Sequence, residues 1–459
     1  MTLEEFRAAA YAVVDWLAAY RESVEERPVL SRVEPGEISA LLPAAAPEEG
    51  EPFADLMADL DRVVMPGTTH WQSPNWFAYF PANSSPPSIL AEMVSAGLGL
   101  QGMLWSTSPV VTELESRVLD WLVDLMGLPQ AWKSAGPGGG VIQMSASDAT
   151  HAALVTARAA KSGAGRAEDM AVYVSEEAHS SIEKGCNIAG VGHCRMIEVD
   201  EERSMSVAAL EAAVKGDLAR GLLPVAVVST VGTTGTTAVD PLTEISRTAR
   251  RRGMWHHVDA AYAGTAMICE EFRDFQPSLE MVDSYTFNPH KWMMVSFDCN
   301  VLWVADRAPL LEVMSILPPY LRDEASESGA VIDYRDWHVP LGRRFRALKL
   351  WWVIRWYGAA GLRSMVREHH RLARRLADRV GRDDRLKLFA PVPFGLVCFT
   401  HRDGNEATRR LARDLNATGK AAITASSIAG EDFIRVAVGQ AETEERHVDA
   451  LWDLIDSLA

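Results

Sequence analysis

The feature that most restricts how this chain can fold is a series of short, β-rich runs between about residues 110 and 310. The runs are AVYVS (171–175), CRMIEV (194–199), LPVAVVSTVG (223–232) and SYTFN (284–288), and helical stretches lie between them. Strands that alternate with helices form mainly parallel sheets with helices on both faces. The pattern therefore predicts an α/β fold whose large domain is built on a mainly parallel sheet.

One of the helical stretches carries clear end signals. Asp240 can cap its start, Pro241 suits its first turn, and Gly253 can supply a left-handed stop after three arginines. We expect a helix between these positions, followed by a strand at WHHVD.

Segments on either side complete the predicted organisation. Residues 1–80 begin with the capping-box pair Thr2 and Glu5 and an apolar helical stripe, which predicts an N-terminal helical arm. The stripe has two interpretations: packing on its own subunit, or a seam against a second copy. The runs LKLFA, GLVCF, AAITA and FIRVAVG predict a small C-terminal α/β domain at 361–459, which leaves 81–360 for the large domain.

Composition narrows the functional class. The chain has 459 residues, 48% of them hydrophobic, and its 62 acidic and 45 basic residues give a net charge of -17, which disfavours nucleic-acid binding. No apolar run reaches the ~18 residues of a membrane-spanning helix, and the opening MTLEEF is unlike a signal peptide. We expect a cytoplasmic protein that binds no membrane. Five scattered cysteines without a CxxC pair predict reduced thiols and no metal site.

Three peptides carry residues suited to chemistry. SYTFNPHKWMMVSF places Asn288, His290 and Lys291 in a short polar step between apolar runs, where burial makes a lysine amine nucleophilic. Asp259 ends the apolar strand WHHVD, and such strand ends face the ligand crevice of a parallel sheet; taken alone, Asp259 could equally be a cap for the following turn. His179 follows AVYVS; taken alone, it is more typical of a packed core histidine.

A fourth peptide predicts a seat for a phosphate group. Gly136 to Gly140 precede the strand-like VIQM, and Ser145 to Asp148 then open a helix whose free N–H groups attract an anion. The spacing matches neither the Walker pattern nor GxGxxG. Pyridoxal 5'-phosphate (PLP) requires this combination of groups: a lysine, a carboxylate, a histidine and a seat for its phosphate.

The ordered motifs resemble those of the group II PLP-dependent decarboxylases of fold type I, and within them the aromatic L-amino acid decarboxylases. The likeness extends over nearly the whole chain and includes THWQSPNWFAYFP, GGGVIQMSASDAT, EEAHSSIEK, HVDAAYAG, NPHKW and DYRDWHVPLGRRFRALK. It implies PLP as cofactor, a homodimer, and conversion of an aromatic L-amino acid into an arylalkylamine and carbon dioxide.

The resemblance also implies a role for each matching position. Lys291 would bind the cofactor aldehyde covalently, Asp259 would pair with the pyridine nitrogen, and His179 would stack on the ring. Further cofactor contacts would be Ala146, Ser147, Asn288 and His290 around the phosphate, Thr234 near the ring and Ala261 beneath it. The substrate pocket would contain Trp71, Tyr79, Phe80, Pro81, Ala82, Gln101 and Met103.

The polar segment 322–334, RDEASESGAVIDY, is typical of a mobile lid. Tyr334 at its end matches the family tyrosine that protonates the substrate carbon, and the alternative is a tyrosine that anchors the loop by its ring. In the family this lid reaches the neighbouring subunit's site. Arg435 in FIRVAVG has two interpretations, a contact with the lid or substrate or membership of a structural ion pair, and the ion pair is favoured.

The substrate and the outcome of the reaction leave alternatives. Ala82 stands where dopa-decarboxylating animal members commonly have threonine, which favours indole or phenyl side chains. An aromatic aldehyde synthase on the same scaffold and a non-catalytic PLP-binding scaffold protein are the rival functions. Relatives that form aldehydes typically lack the lid tyrosine or the stacking histidine, so Tyr334 and His179 favour simple decarboxylation.

Overall fold

A computed structural model describes residues 1–161, 163, 165–315 and 331–459. Positions 322–330 of the predicted lid lie outside the described residues. Within the described part of the chain, no helix combines the length and apolarity needed to cross a bilayer.

A seven-stranded sheet forms the centre of the fold. Its strands are β1 (Gly139–Gln143), β2 (Met170–Ser175), β3 (His193–Ile197), β4 (Leu223–Thr230), β5 (Trp255–Asp259), β6 (Ser284–Phe287) and β7 (Asn300–Val304). The spatial order is β1-β7-β6-β5-β4-β2-β3, and only β7 runs antiparallel to its neighbours. The predicted mainly parallel sheet is confirmed.

Helices cover both faces of this sheet. They are α4 (Pro86–Leu98), α5 (Pro109–Met126), α6 (Ala146–Ala159), α7 (Ser181–Ala189), α8 (Val207–Ala219), α9 (Leu242–Arg252), α10 (Pro289–Trp292) and α11 (Ala308–Met314). Alternate residues of one strand pack on opposite sides: Val141 joins a core with α6, whereas Ile142 joins the core that contains α5. Strands buried on both faces explain the continuous apolar runs in the sequence.

Helix α9 confirms one predicted end and corrects the other. Gly253 ends it in the left-handed region at φ 62°. At its start, Pro241 lies just before the helix, and Asp240 does not cap it. The Asp240 carboxylate instead accepts hydrogen bonds from the backbone N–H groups of Met205 and Thr230, both at 2.7 Å. Asp240 therefore joins two chain segments.

A second, four-stranded antiparallel sheet has the order β10-β11-β9-β8. The C-terminal elements are α12 (Arg346–Arg382, with a break at Gly358), β8 (Leu386–Leu388), β9 (Leu396–His401), α13 (Asn405–Ala417), β10 (Thr424–Ile428), β11 (Glu431–Ala437) and α14 (Glu445–Leu458). The strand expected at AAITA begins three residues later, at Thr424. The two sheets fall within the predicted large and small domains, whose boundaries stay predictions.

The first helices of the chain are α1 (Leu3–Ser23), α2 (Glu37–Leu41) and α3 (Phe53–Asp59). The predicted capping box of α1 is present. No residue of α1 is fully buried, and Phe6 remains 57% exposed. The stripe lines an apolar cavity of about 630 Å³ together with Ile89 and Met93 of α4. The chain's own packing thus leaves the apolar face of α1 largely uncovered.

Candidate active site

Most of the predicted cofactor residues meet in one cavity of about 190 Å³ at the carboxyl ends of the parallel strands. Its lining includes the predicted residues Phe80, Ala146, Ser147, His179, Thr234, Asp259, Ala261, Asn288 and Lys291. It also includes Ser145 of the predicted phosphate seat, and four residues that sequence reasoning did not assign to a pocket: Ser181, Thr230, Gly232 and Tyr262. The topology explains the meeting, because strands β4 and β5 end at Thr230 and Asp259.

The lysine amine is set in an apolar part of this cavity. Lys291 lies in the short helix α10, and its Nζ is 5.3 Å from the centre of the Phe80 ring. Burial lowers the pKa of Lys291, while Asp259 opposes the shift and Arg435 adds to it. A lowered pKa increases the share of neutral, nucleophilic amine at neutral pH.

The carboxylate of Asp259 is held by the backbone that follows it. Its Oδ1 accepts a hydrogen bond from the N–H of Ala261 at 2.9 Å. This bond leaves the other carboxylate oxygen for a group in the cavity. A protonated pyridine nitrogen is a suitable partner for such an oxygen.

His179 has a defined tautomer. Its Nδ1 accepts a hydrogen bond from the backbone N–H of Ser181 at 3.1 Å, and the Ser181 hydroxyl lies 2.8 Å from the same nitrogen. Since Nδ1 accepts, the proton of the neutral ring is on Nε2. Burial lowers the pKa of His179, against the influence of Asp259, so the imidazole is neutral at pH 7. A neutral, fixed ring suits the stacking role, which stays a prediction.

The start of α6 supplies donors for an anion. Ser145 caps this helix, accepting a hydrogen bond from the Asp148 N–H at 3.2 Å. The N–H groups of Ala146 and Ser147, the two residues before Asp148, have no intrahelical partner. Thr230 Oγ1 is buried beside the cavity and has no hydrogen-bond partner among the described residues. Together these groups form a seat for a phosphate.

His290 does not line the cavity, although it was expected near the phosphate. Its Nδ1 accepts a hydrogen bond from the Cys299 N–H at 2.9 Å. Burial lowers the pKa of His290 to about 3. The neighbouring Asn288 does line the cavity, so only one of these two expected phosphate contacts reaches it.

Of the predicted substrate residues, only Phe80 lines the cavity of its own chain. Phe80 stacks on Tyr262 with ring centres 3.9 Å apart. Trp71 and Tyr79 stack on each other at 5.6 Å on the surface, and Tyr79 is 58% exposed. The backbone of Tyr79 is left-handed (φ 55°), and this turn directs the side chains of Tyr79 and Phe80 to different sides.

The other four predicted substrate residues also lie away from the cavity. Pro81 is buried, the carbonyl of Ala82 accepts a hydrogen bond from Gln72, and the backbone carbonyl of Met103 accepts one from the Arg335 N–H. The Gln101 amide accepts a hydrogen bond from the Arg343 N–H at 2.6 Å. A substrate pocket containing all seven residues is therefore not formed within one chain.

Tyr334 lies in packed core within this chain, and its expected role as a proton donor stays a prediction. It is 1% exposed and lies in a short helical turn, Tyr334–Trp337, packed against Trp337. Its hydroxyl lies 2.8 Å from Ser116 Oγ, and Arg343 covers its ring. The residue is not among those that line the cavity. The end of segment 322–334 is thus packed core, which matches the alternative of a tyrosine that anchors the loop.

Arg435 corrects the expectation of a structural ion pair, and it lies behind the cavity wall without lining the cavity itself. The described part of the chain gives it no carboxylate partner, so the expected ion pair is absent there. It is buried, its Nε donates to the Gly235 carbonyl at 3.0 Å, and its guanidinium lies 5.2 Å from the Phe80 ring centre. An arginine inside the apolar strand FIRVAVG was the sequence signal for this position. A buried cation without an acidic partner is available to an anionic ligand.

Comparisons with known proteins agree with this geometry. The profile of the pyridoxal-dependent decarboxylase conserved domain matches residues 35–402. Phenylacetaldehyde synthase of Arabidopsis thaliana is 42% identical over 473 residues, with 100% of this chain and 96% of the relative covered. Aromatic-L-amino-acid decarboxylase of Rattus norvegicus is 41% identical over 472 residues, with 100% and 98% covered. A crystal structure of Oryza sativa TDC with PLP and tryptamine has a TM-score of 0.98 at 39% identity, covering 100% of this chain and 98% of that chain.

This chain belongs to the pyridoxal-dependent decarboxylase family, which confirms the resemblance found in its motifs. The cavity residues fit PLP on chemical grounds: an amine for the aldehyde, a carboxylate for the ring nitrogen, and unpartnered donors for the phosphate. The fold, with its mainly parallel seven-stranded sheet and small second sheet, is that of these enzymes.

Proposed function

We propose that the protein decarboxylates an aromatic L-amino acid, with PLP as cofactor, and releases carbon dioxide and the arylalkylamine. The observation that carries the proposal is the meeting of the Lys291 amine, the Asp259 carboxylate and the start of α6 in one cavity. The aromatic class is supported by the relatives, whose names refer to phenylacetaldehyde synthesis and to aromatic amino acid decarboxylation.

Each cavity residue has a defined task in this reaction. When bound, the cofactor ring accepts the electron pair left by the departing carbon dioxide. Lys291 would hold the cofactor through its amine and release it to the substrate amine, Asp259 would keep a proton on the ring nitrogen, and the start of α6 would hold the phosphate. His179 restrains the ring from one side. Because these contacts fix the ring, the substrate must present its carboxylate perpendicular to that plane for the bond to break.

Arg435 is the group we assign to the substrate carboxylate. Its guanidinium and the Lys291 amine approach the same Phe80 ring, at 5.2 Å and 5.3 Å from its centre. In an amino acid bound through its nitrogen near Lys291, the carboxylate carbon is two bonds from that nitrogen and the carboxylate oxygens are three. We propose that the Arg435 guanidinium, on the same aromatic ring, orients this carboxylate by charge-assisted hydrogen bonds.

An aldehyde synthase is the second candidate function. Phenylacetaldehyde synthase of Arabidopsis thaliana is 42% identical to this chain, and aromatic-L-amino-acid decarboxylase of Rattus norvegicus is 41% identical. Overall similarity therefore does not separate the two reactions. The presence of His179 in the cavity favours decarboxylation over oxidation.

Product analysis under air tests the proposal. The purified protein is incubated with tryptophan, phenylalanine, tyrosine and dopa, and carbon dioxide, amine, aldehyde and peroxide are measured for each. We expect amine and carbon dioxide in equal amounts from at least one of the four. Aldehyde and peroxide in place of amine would establish the synthase, and no carbon dioxide from any amino acid would favour the scaffold protein.

A homodimer is part of the proposal. Much of the apolar stripe of α1 is exposed, and its cavity with α4 is open to solvent among the residues that the structure describes. Gln101 and Met103, expected at the substrate, lie away from their own cavity, so a role at the substrate requires the site of a second copy. The cytoplasmic location stays a prediction.

A further inference from the structure

A buried asparagine, Asn300, lies directly behind one residue of the cavity wall. It is the first residue of β7, is fully buried and does not line the cavity. Its Nδ2 lies 2.8 Å from Thr286 Oγ1, 2.9 Å from the Phe287 carbonyl oxygen and 2.7 Å from Asn288 Oδ1. The two N–H groups of this amide thus face three oxygens on consecutive residues that lead into the cavity, and one N–H is shared between two of them.

The chemistry of two partners fixes which way the Asn300 amide is turned. The Phe287 carbonyl can only accept a hydrogen bond. The Thr286 hydroxyl donates its proton to the Val301 carbonyl at 2.9 Å, so it can only accept from Asn300. Both oxygens require a donor, and the Asn300 atom that faces them is therefore Nδ2.

The same donor fixes the amide of Asn288. Because Nδ2 of Asn300 faces it, the Asn288 atom at that contact must be Oδ1, as the 2.7 Å distance describes. The NH₂ group of Asn288 is then the part of its amide that Asn300 does not contact, and Asn288 lines the cavity. None of the hydrogen bonds of the described residues uses Asn288 Nδ2 as a donor, so its protons are available to a ligand.

Stability does not explain an asparagine at position 300. Its Oδ1 is buried without a hydrogen-bond partner among the described residues. An unmatched buried oxygen costs free energy that an apolar side chain in the same strand would avoid. The asparagine is instead explained by its Nδ2, which orients the amide of Asn288.

We propose that Asn300 is a positioning residue that keeps the N–H groups of Asn288 turned toward the phosphate of the cofactor. The proposal rests on the proposed function, since the phosphate in question is that of PLP. Asn300 touches neither substrate nor cofactor and acts only through Asn288.

The test compares PLP with pyridoxal, which lacks the phosphate. Full-length protein is stripped of cofactor and titrated with each compound, with binding followed by intrinsic fluorescence. Asn300→Ala should weaken PLP binding by about 10-fold, the value of one charge-assisted hydrogen bond, and leave pyridoxal binding unchanged. Asn288→Ala should have the same effect, and the double variant should be no weaker than either single one.

Two further variants keep the result interpretable. Asn300→Ser serves if Asn300→Ala does not fold, because a hydroxyl is too short to reach Asn288. Gln143→Leu is the matched control: it changes a buried amide opposite Asn300 on β1 and should leave PLP affinity unchanged.

The outcomes separate this inference from the function it rests on. Equal weakening for PLP and pyridoxal, or losses at 300 and 288 that multiply in the double variant, would overturn the positioning role. Failure of the unmodified protein to bind PLP at all would instead refute the proposed function.

Discussion

Tyr334→Phe tests whether this tyrosine supplies a proton to the reaction or only anchors its segment. Ser116 Oγ donates to the Thr112 carbonyl at 3.0 Å, so the Tyr334 hydroxyl is the donor in the 2.8 Å contact between the two side chains. Removing the hydroxyl costs one buried hydrogen bond and leaves the Ser116 donor satisfied. The expected loss is about 1 kcal/mol of unfolding free energy.

The assay measures stability and products on the same preparation. For a chain of this length, about 1 kcal/mol lowers Tm by about 2 °C or less. The amine yield should not change, because the phenol faces Ser116 and not the cavity. Tyr320→Phe is the companion variant, since Tyr320 is the other tyrosine between β7 and Tyr334 and lies outside the described residues.

Tyr334→Phe and Tyr320→Phe together show which tyrosine, if either, supplies the proton. If Tyr334→Phe forms aldehyde and peroxide in place of amine while Tm stays unchanged, Tyr334 is the acid and its buried placement does not describe the working enzyme. If only Tyr320→Phe does so, the acid is in the same part of the sequence at the other tyrosine.

Three further perturbations follow from the site, the arm and the core. Arg435→Met should raise KM for the amino acid about 10-fold or more, because a charge-assisted hydrogen bond to the carboxylate is lost. Inhibition by the product amine, which has no carboxylate, should not change. An equal effect on KM and on amine inhibition would contradict the assignment of Arg435 to the carboxylate. Phe6→Asp, compared with Glu4→Gln, should convert the dimer to monomers in sedimentation; an unchanged mass would refute the α1 interface. Burial lowers the pKa of His256 to about 3, so the folded state binds fewer protons than the unfolded state below pH 6.5, and about 2 kcal/mol of stability is lost by pH 5. His256→Gln should reduce that loss in thermal unfolding at pH 7 and 5, and an identical pH dependence would contradict this account.

The sequence predicts the sheet from local signals, whereas most of the residues expected around the cofactor came from the resemblance to a family. Apolar runs buried on two faces mark strands, and strand ends bring Asp259 and His179 to one edge. Lys291 follows β6 through a single short helix, so its position follows once the strand is placed. The positions of Asp259, His179 and Lys291 relative to the sheet could thus be predicted from the sequence.

The substrate residues and the lid depend on features that patterns do not carry. In FAYFP, the left-handed backbone of Tyr79 decides that Phe80 faces the cavity and Tyr79 faces solvent, and φ is not readable from residue type there. At Tyr334, polarity does not show where the loop ends and core packing begins. Arg435 owes its position to the register of β11 against β9, which depends on tertiary pairing.

The central claim is a covalent bond between the Lys291 amine and the cofactor aldehyde. Reduction of the PLP-loaded protein with borohydride fixes that bond, and peptide mass spectrometry then locates the label. We predict label at Lys291 and none in a Lys291→Ala variant treated in the same way. Label on a different lysine in the unmodified protein would contradict the account of this site.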